Sequence, residues 1–146
     1  MRSYYSTVLP YPAVEVWATV RDFNGLATWF APAVSSSEIE DGKAGDAVGA
    51  VRRFVLGDDE IREHLLSLSD IDRCYSYEFQ GKPPFPVHNY VATLRVTPVT
   101  ARDHAFVEWW TTFDCAAEEQ ERWESFFAAE VFAPALAALA EYLDEG

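Results

Sequence analysis

Cysteine, histidine and positive charge are all scarce in this chain, and each shortage removes a class of function. Two cysteines, Cys74 and Cys115, in 146 residues are too few for a disulfide framework or a cysteine-rich zinc site. Each falls within an expected strand or at its end, where a reduced cysteine serves as a small apolar side chain. The three histidines, His64, His88 and His104, have no helical i, i+4 spacing and no cysteine nearby, so no metal is expected. Lys and Arg number 11 against 24 Asp and Glu, a net charge of −13. Nucleic acids and anionic membranes reward positive charge, so neither is an expected partner. After Met1-Arg2 no apolar run is long enough for a signal peptide. The most apolar later stretch, Phe132 to Ala140, contains Pro134 and is too short to span a bilayer. A soluble, cytoplasmic protein without membrane insertion is the expectation.

Chemical signatures are missing too. There is no Gly-x-Ser-x-Gly elbow and no cysteine set beside a histidine and an acid. Gly42 to Gly49 lacks the Lys-Ser/Thr ending of a phosphate-binding loop, so no nucleotide or other cofactor is expected. Asp58-Asp59-Glu60 and Asp70 with Asp72 lack the glycine and glutamate positions of a calcium loop and read as solvated turns.

What the chain has in quantity is apolar and aromatic surface. An apolar content of 49% excludes wholesale disorder, and the length favours one domain over residues 1–146. Five Trp, seven Tyr and ten Phe are enough either to fill a thick core or to line a cavity. The order of elements narrows the fold. Residues 3–9 read as a strand and Pro12 to about Arg21 as a short buried helix, broken by Asn24-Gly25. Leu26 to Phe30 adds one helical turn, ended by Pro32. Strands follow: one ending at Ile39, then Ala47–Leu56, Glu60–Ser67, Cys74–Phe79, His88–Val96 and Ala105–Phe113. Gly57-Asp58-Asp59 marks a hairpin, Gly81-Lys82-Pro83-Pro84-Phe85-Pro86 a loop suited to a stiff lid, and Pro98 to Asp103 a connection. From Ala116 a helix of about 25 residues begins, apolar on two stripes and expected to kink at Pro134. The architecture that satisfies this order is α+β: a strongly curved antiparallel sheet of about seven strands wrapped around a long C-terminal helix, with two short helices after the first strand. A cavity between sheet and helix, of roughly 300–1,000 Å³, is expected there.

Strand alternation sorts side chains by face. With Gly57-Asp58-Asp59 as the turn, Leu56 pairs with Ile61, Phe54 with Glu63 and Arg52 with Leu65. Apolar Phe54, Leu56, Ile61 and Leu65 then mark the inner face, which also carries Arg52 and Glu63 as diagonal neighbours. Arg53, Arg62 and His64 fall outside. A charged pair turned inward must be partnered; it either orients a ligand or serves only the structure. Tyr75, Tyr77 and Phe79 share a face, as do Tyr90, Ala92, Leu94 and Val96, and Val107, Trp109, Thr111 and Phe113. Small Ala92 and Thr111 among large neighbours suggest unfilled room, against ordinary core packing as the alternative. Trp110 points away from Trp109, where an exposed ring would suggest a protein contact.

Several pieces together resemble the polyketide cyclase/dehydrase and lipid-transport group of the START-like, birch-allergen-like superfamily. They are Val16-Trp17, then Leu26-Ala27-Thr28-Trp29-Phe30-Ala31-Pro32, Gly49-Ala50-Val51-Arg52 and Ile61-Arg62-Glu63-His64-Leu65-Leu66. Tyr75-Ser76-Tyr77, Pro86 to Leu94 and Val107-Glu108-Trp109 continue the match over the whole chain. The resemblance implies a helix-grip fold and an apolar small-molecule ligand, with catalysis in only some members. Three functions follow as expectations. The first is binding of an apolar or aromatic small molecule, lipid or polyketide-like, by Arg52, Glu63, Tyr77, Tyr90, Trp109, Phe127 and Val131. The second is a cyclase, dehydratase or isomerase using Glu63, Arg52, Tyr77, Tyr90 and His88. The third is a protein-interaction module similar to Hsp90-activator-like proteins. The expected partner is a hydrophobic small molecule, and a homodimer is compatible with the chain.

Overall fold

A computed structural model describes residues 1–31 and 33–145; Pro32, the expected end of the second helix, lies outside them. Strand β1 (Arg2–Leu9) leads through Pro10 and Pro12 into helix α1 (Ala13–Val20) and the single turn α2 (Leu26–Trp29). Strands β2 (Val34–Ile39), β3 (Val51–Leu56), β4 (Asp59–Ser69), β5 (Cys74–Phe79), β6 (His88–Val99) and β7 (His104–Asp114) form an antiparallel meander. With β1 beside β7 they make one seven-stranded sheet, ordered β1-β7-β6-β5-β4-β3-β2. The C-terminal helix, Ala117–Glu145, lies along its concave face. It is long and apolar enough by composition to cross a membrane, yet Trp123, Phe127, Phe132, Leu136, Leu139 and Leu143 bury one side of it in the core.

Three local expectations are corrected. The hairpin is tighter than expected, with two residues between the paired ends where the Leu56–Ile61 pairing left four: Leu56 pairs with Asp59, Phe54 with Ile61 and Arg52 with Glu63. Gly57 sits at φ +62° at the first turn position, where a two-residue turn matches the strand twist and glycine is favoured. The partner moves by two residues, which keeps the face, so Arg52 and Glu63 are direct rather than diagonal neighbours. Strand β3 begins at Val51 rather than Ala47, because Gly49 adopts φ +95°. Strand β6 runs on through Pro98, with Pro98 opposite Ala105 and Val99 opposite His104. Proline is tolerated there because β5 begins at Cys74, paired with Arg95, and Val96 N–H already reaches past it to the Arg73 carbonyl. The N–H that Pro98 lacks would point beyond the end of β5.

The C-terminal helix breaks where proline requires it. A 3₁₀ turn (Ala117–Glu119) opens α3 (Gln120–Phe126), a π-helical turn spans Phe127–Phe132, and α4 (Ala133–Glu145) completes it. Pro134 has no N–H to offer the preceding turn. A second cause comes from β1: buried Ser3 donates its hydroxyl to the Glu124 carbonyl at 2.6 Å and accepts the Ala128 N–H at 2.8 Å. Those two backbone groups would bond each other in an unbroken α-helix, so Ser3 is a polar wedge in the ladder. The expected kink is therefore a wedged π-turn, and it sets how Phe127 and Val131 meet the sheet.

Candidate functional site

Arg52 on β3 and Glu63 on β4 both point to the concave side, 1% and 5% exposed. Arg52 Nε and Nη2 lie 2.8 and 2.7 Å from Glu63 Oε1. Arg52 Nη1 donates to the Phe23 carbonyl at 3.1 Å, and its guanidinium carbon lies 3.9 Å from the centre of the Phe23 ring and 4.8 Å from that of Tyr77. Arginine is suited to this: a planar cation that stacks on rings while its edge forks to a carboxylate. Both bonds converge on Oε1; Glu63 Oε2 accepts none from the described residues.

Burial opposes both charges. It works against the Arg52 cation, but the Glu63 carboxylate, Tyr75 and Tyr77 together outweigh it and the guanidinium stays charged. Burial lifts Glu63 above the usual carboxylate range, with the Arg52 charge pulling it back. Burial, reinforced by the Glu63 charge, pushes the Tyr77 and Tyr90 phenols well above their ordinary range, so both keep their protons. Tyr77 accepts the Trp109 indole N–H at 3.1 Å.

All seven residues named from the sequence, Arg52, Glu63, Tyr77, Tyr90, Trp109, Phe127 and Val131, line one interior cavity. Its size differs from expectation: about 40 Å³ instead of hundreds. That space admits water but no ring, since an apolar cavity of about 150 Å³ is what holds benzene. The aromatic stock fills the rest. Phe79 stacks on Tyr90 at 4.2 Å, Trp109 on Phe132 at 4.9 Å, and the Phe85 ring lies 5.5 Å from Phe127. The room that Ala92 and Thr111 suggested is closed; both are fully buried opposite one another and neither borders the cavity.

Other candidates fall elsewhere. His88 is exposed at a separate open cleft of about 430 Å³, outside the cavity. His64 faces outward and meets Glu78 at 2.9 Å, while His104 sits at the start of β7. Among the described residues no group of His, Cys, Asp and Glu is placed to hold a metal. Trp110 is half-buried rather than open: it stacks on Tyr4, whose hydroxyl donates to Glu108 at 2.6 Å. One contributor escaped the sequence reading. Phe23, in the loop after α1, supplies a carbonyl and a ring to Arg52, and nothing in its local pattern marks it. Phe54 and Phe79 border the cavity and were legible only as members of an inner face.

A curved antiparallel sheet gripping a long C-terminal helix, with short helices after the first strand, defines the helix-grip class. A profile of the polyketide cyclase / dehydrase and lipid transport family matches residues 1–144, and the chain belongs to that family. A solution structure of a Thermobifida fusca protein is 35% identical, covering 97% of this chain and 92% of that one, with a TM-score of 0.85. The di-domain ARO/CYC BexL is similar at 17% identity over 99% of this chain and 46% of that one, TM-score 0.78. Norcoclaurine synthase from Thalictrum flavum is similar at 16% identity over 100% and 94%, also at TM-score 0.78. These last two share the fold. No curated protein matches the sequence.

Proposed function

We propose that this protein binds an apolar or aromatic small molecule between the sheet and the C-terminal helix, with Glu63 as the polar anchor. The observation that carries the reading is the Arg52–Glu63 pair at the wall of an otherwise greasy cavity, with one carboxylate oxygen left without a protein partner. A pair kept only for structure is under pressure to be replaced by apolar packing, which is often as stable. The half-buried Trp110 gives no open aromatic patch on that face to favour an interaction module. A native mass spectrum of protein purified from its own host tests the reading. A ligand retained at one per chain and lost on denaturation is expected. A bare chain that also fails to take up any apolar probe would overturn it.

A second reading rests on the raised Glu63 carboxyl. A carboxylic acid moved toward neutrality can exchange a proton with a bound molecule, and Tyr77 and Tyr90 remain hydroxyl donors beside it. In that case Glu63 is the acid–base group of a cyclase, dehydratase or isomerase. His88 takes no part, because it lies outside the cavity. Glu63→Gln then abolishes turnover of the identified ligand while binding persists; equal turnover by both proteins removes this reading.

A further inference from the structure

The segment between β5 and β6 is held in an unusual way. Gln80 N–H bonds the Arg62 carbonyl at 2.8 Å, and Val87 N–H bonds the Phe85 carbonyl at 2.9 Å. Apart from that local Phe85–Val87 bond, residues 81–86 make no hydrogen bond to the rest of the protein among the described residues. Pro83, Pro84 and Pro86 have no N–H to give. What docks this strap is one side chain. The Phe85 ring lies 6.1 Å from Phe79, 5.7 Å from Trp123, 5.3 Å from Phe126 and 5.5 Å from Phe127. Phe85 also borders the cavity, and the Trp123 indole N–H beside it is buried without a partner. On the other side lies the open cleft, lined by Gly81 and Pro83 of the strap and sharing Phe79 and Tyr90 with the cavity.

We propose that Phe85 is an internal plug occupying the seat of a ligand ring, and that the ligand is a neutral, single-ring aromatic carrying a hydroxyl. This rests on the ligand-binding reading above. A cavity of about 40 Å³ takes a ring only when a ring leaves, and Phe85 is a lining ring fixed by no regular element. Phe30 also lines the cavity outside a regular element, but its N–H bonds the Leu26 carbonyl and its carbonyl accepts the Val34 N–H, both at 2.8 Å, so Phe85 is the less firmly held of the two. The strap has the open cleft to swing into. The ligand is neutral because Arg52 and Glu63 already compensate each other, and a third buried charge would stand alone. It carries a hydroxyl because Glu63 Oε2 is a carboxylate oxygen without a donor.

The test compares wild-type protein with Phe85→Ala by calorimetric titration with phenol, anisole and toluene. Phenol is expected to bind Phe85→Ala at least about tenfold more tightly than wild type, since the docked ring no longer has to be displaced. Phenol should also exceed anisole, which has the same ring and oxygen but no donor. Equal affinity of both proteins for toluene overturns the plug and leaves the cavity reading standing. Failure of both to bind any of the three overturns both. If Phe85→Ala does not fold, wild-type protein in saturating phenol must lose the nuclear Overhauser contacts between the Phe85 and Phe127 rings; their persistence with phenol bound refutes the plug.

Discussion

Removing either member of the Arg52–Glu63 pair should destabilise the protein, but by different routes that pH can separate. In Glu63→Ala the Arg52 cation keeps only the Phe23 carbonyl and the flanking rings. Arginine cannot shed its charge, so the loss is about 3–5 kcal/mol at any pH near neutrality. For a domain of this size that lowers the melting temperature by roughly 6–20 °C, at about 2–4 °C per kcal/mol. In Arg52→Ala the stranded group can neutralise itself. Protonating a carboxyl of ordinary pKa near 4.3 at pH 7 costs about 3.7 kcal/mol, at about 1.36 kcal/mol per unit. Burial alone then raises Glu63 in the folded state. A raised carboxyl pKa means the folded state binds the proton more tightly. The penalty is thus absent below the unfolded value and grows as pH rises through it until the folded value is passed. Arg52→Ala should therefore recover by up to about 2.7 kcal/mol relative to wild type between pH 7 and pH 5, whereas Glu63→Ala should not recover. The double variant should be milder than the sum of the singles, with a coupling of about 1–3 kcal/mol. Urea denaturation followed by tryptophan fluorescence measures all of this. Additive effects, or equal pH profiles for the two single variants, would refute the argument.

Three further outcomes are expected. Ser3→Ala removes the wedge between the Glu124 carbonyl and the Ala128 N–H; it should cost about 1–3 kcal/mol in urea melts and shift the backbone amide signals of residues 124–132. A change confined to β1 would show that the π-turn stands without Ser3. Gly57→Ala should cost about 1–2 kcal/mol from backbone strain alone, because the new methyl would meet nothing within 4 Å; a neutral result would mean the φ of +62° is not kept in solution. Hydrogen bonds from Arg21 and then Trp17 lower the Asp70 carboxyl, and the Arg62 hydrogen bond lowers Glu40. Both contributions are complete above the ordinary carboxylate range and vanish as pH falls through the lowered values. Asp70→Asn should flatten the acid limb of a stability–pH curve, and an unchanged limb would remove Asp70 from the account.

The sequence by itself determined the order of elements, the curved sheet on a terminal helix, and the inner face of each strand. These depend on short-range rules. Alternation puts Ile61, Glu63 and Leu65 on one side of their strand and Arg52, Phe54 and Leu56 on one side of theirs, and a register error of two residues leaves the faces matched. Proline at 134 announced the helix break for the same local reason. Distance in the chain is where local rules end. That Phe23 would cover Arg52, or that Ser3 would enter the helix ladder at Glu124, depends on contacts across 29 and 121 positions, which no window of sequence encodes. The cavity was decided the same way. Composition counts aromatic rings but does not say whether they stand around a space or fill it. Close packing settles that only once Phe79, Phe85, Tyr90, Trp109, Phe127 and Phe132 are brought together from four separate elements and a loop, and here it leaves about 40 Å³.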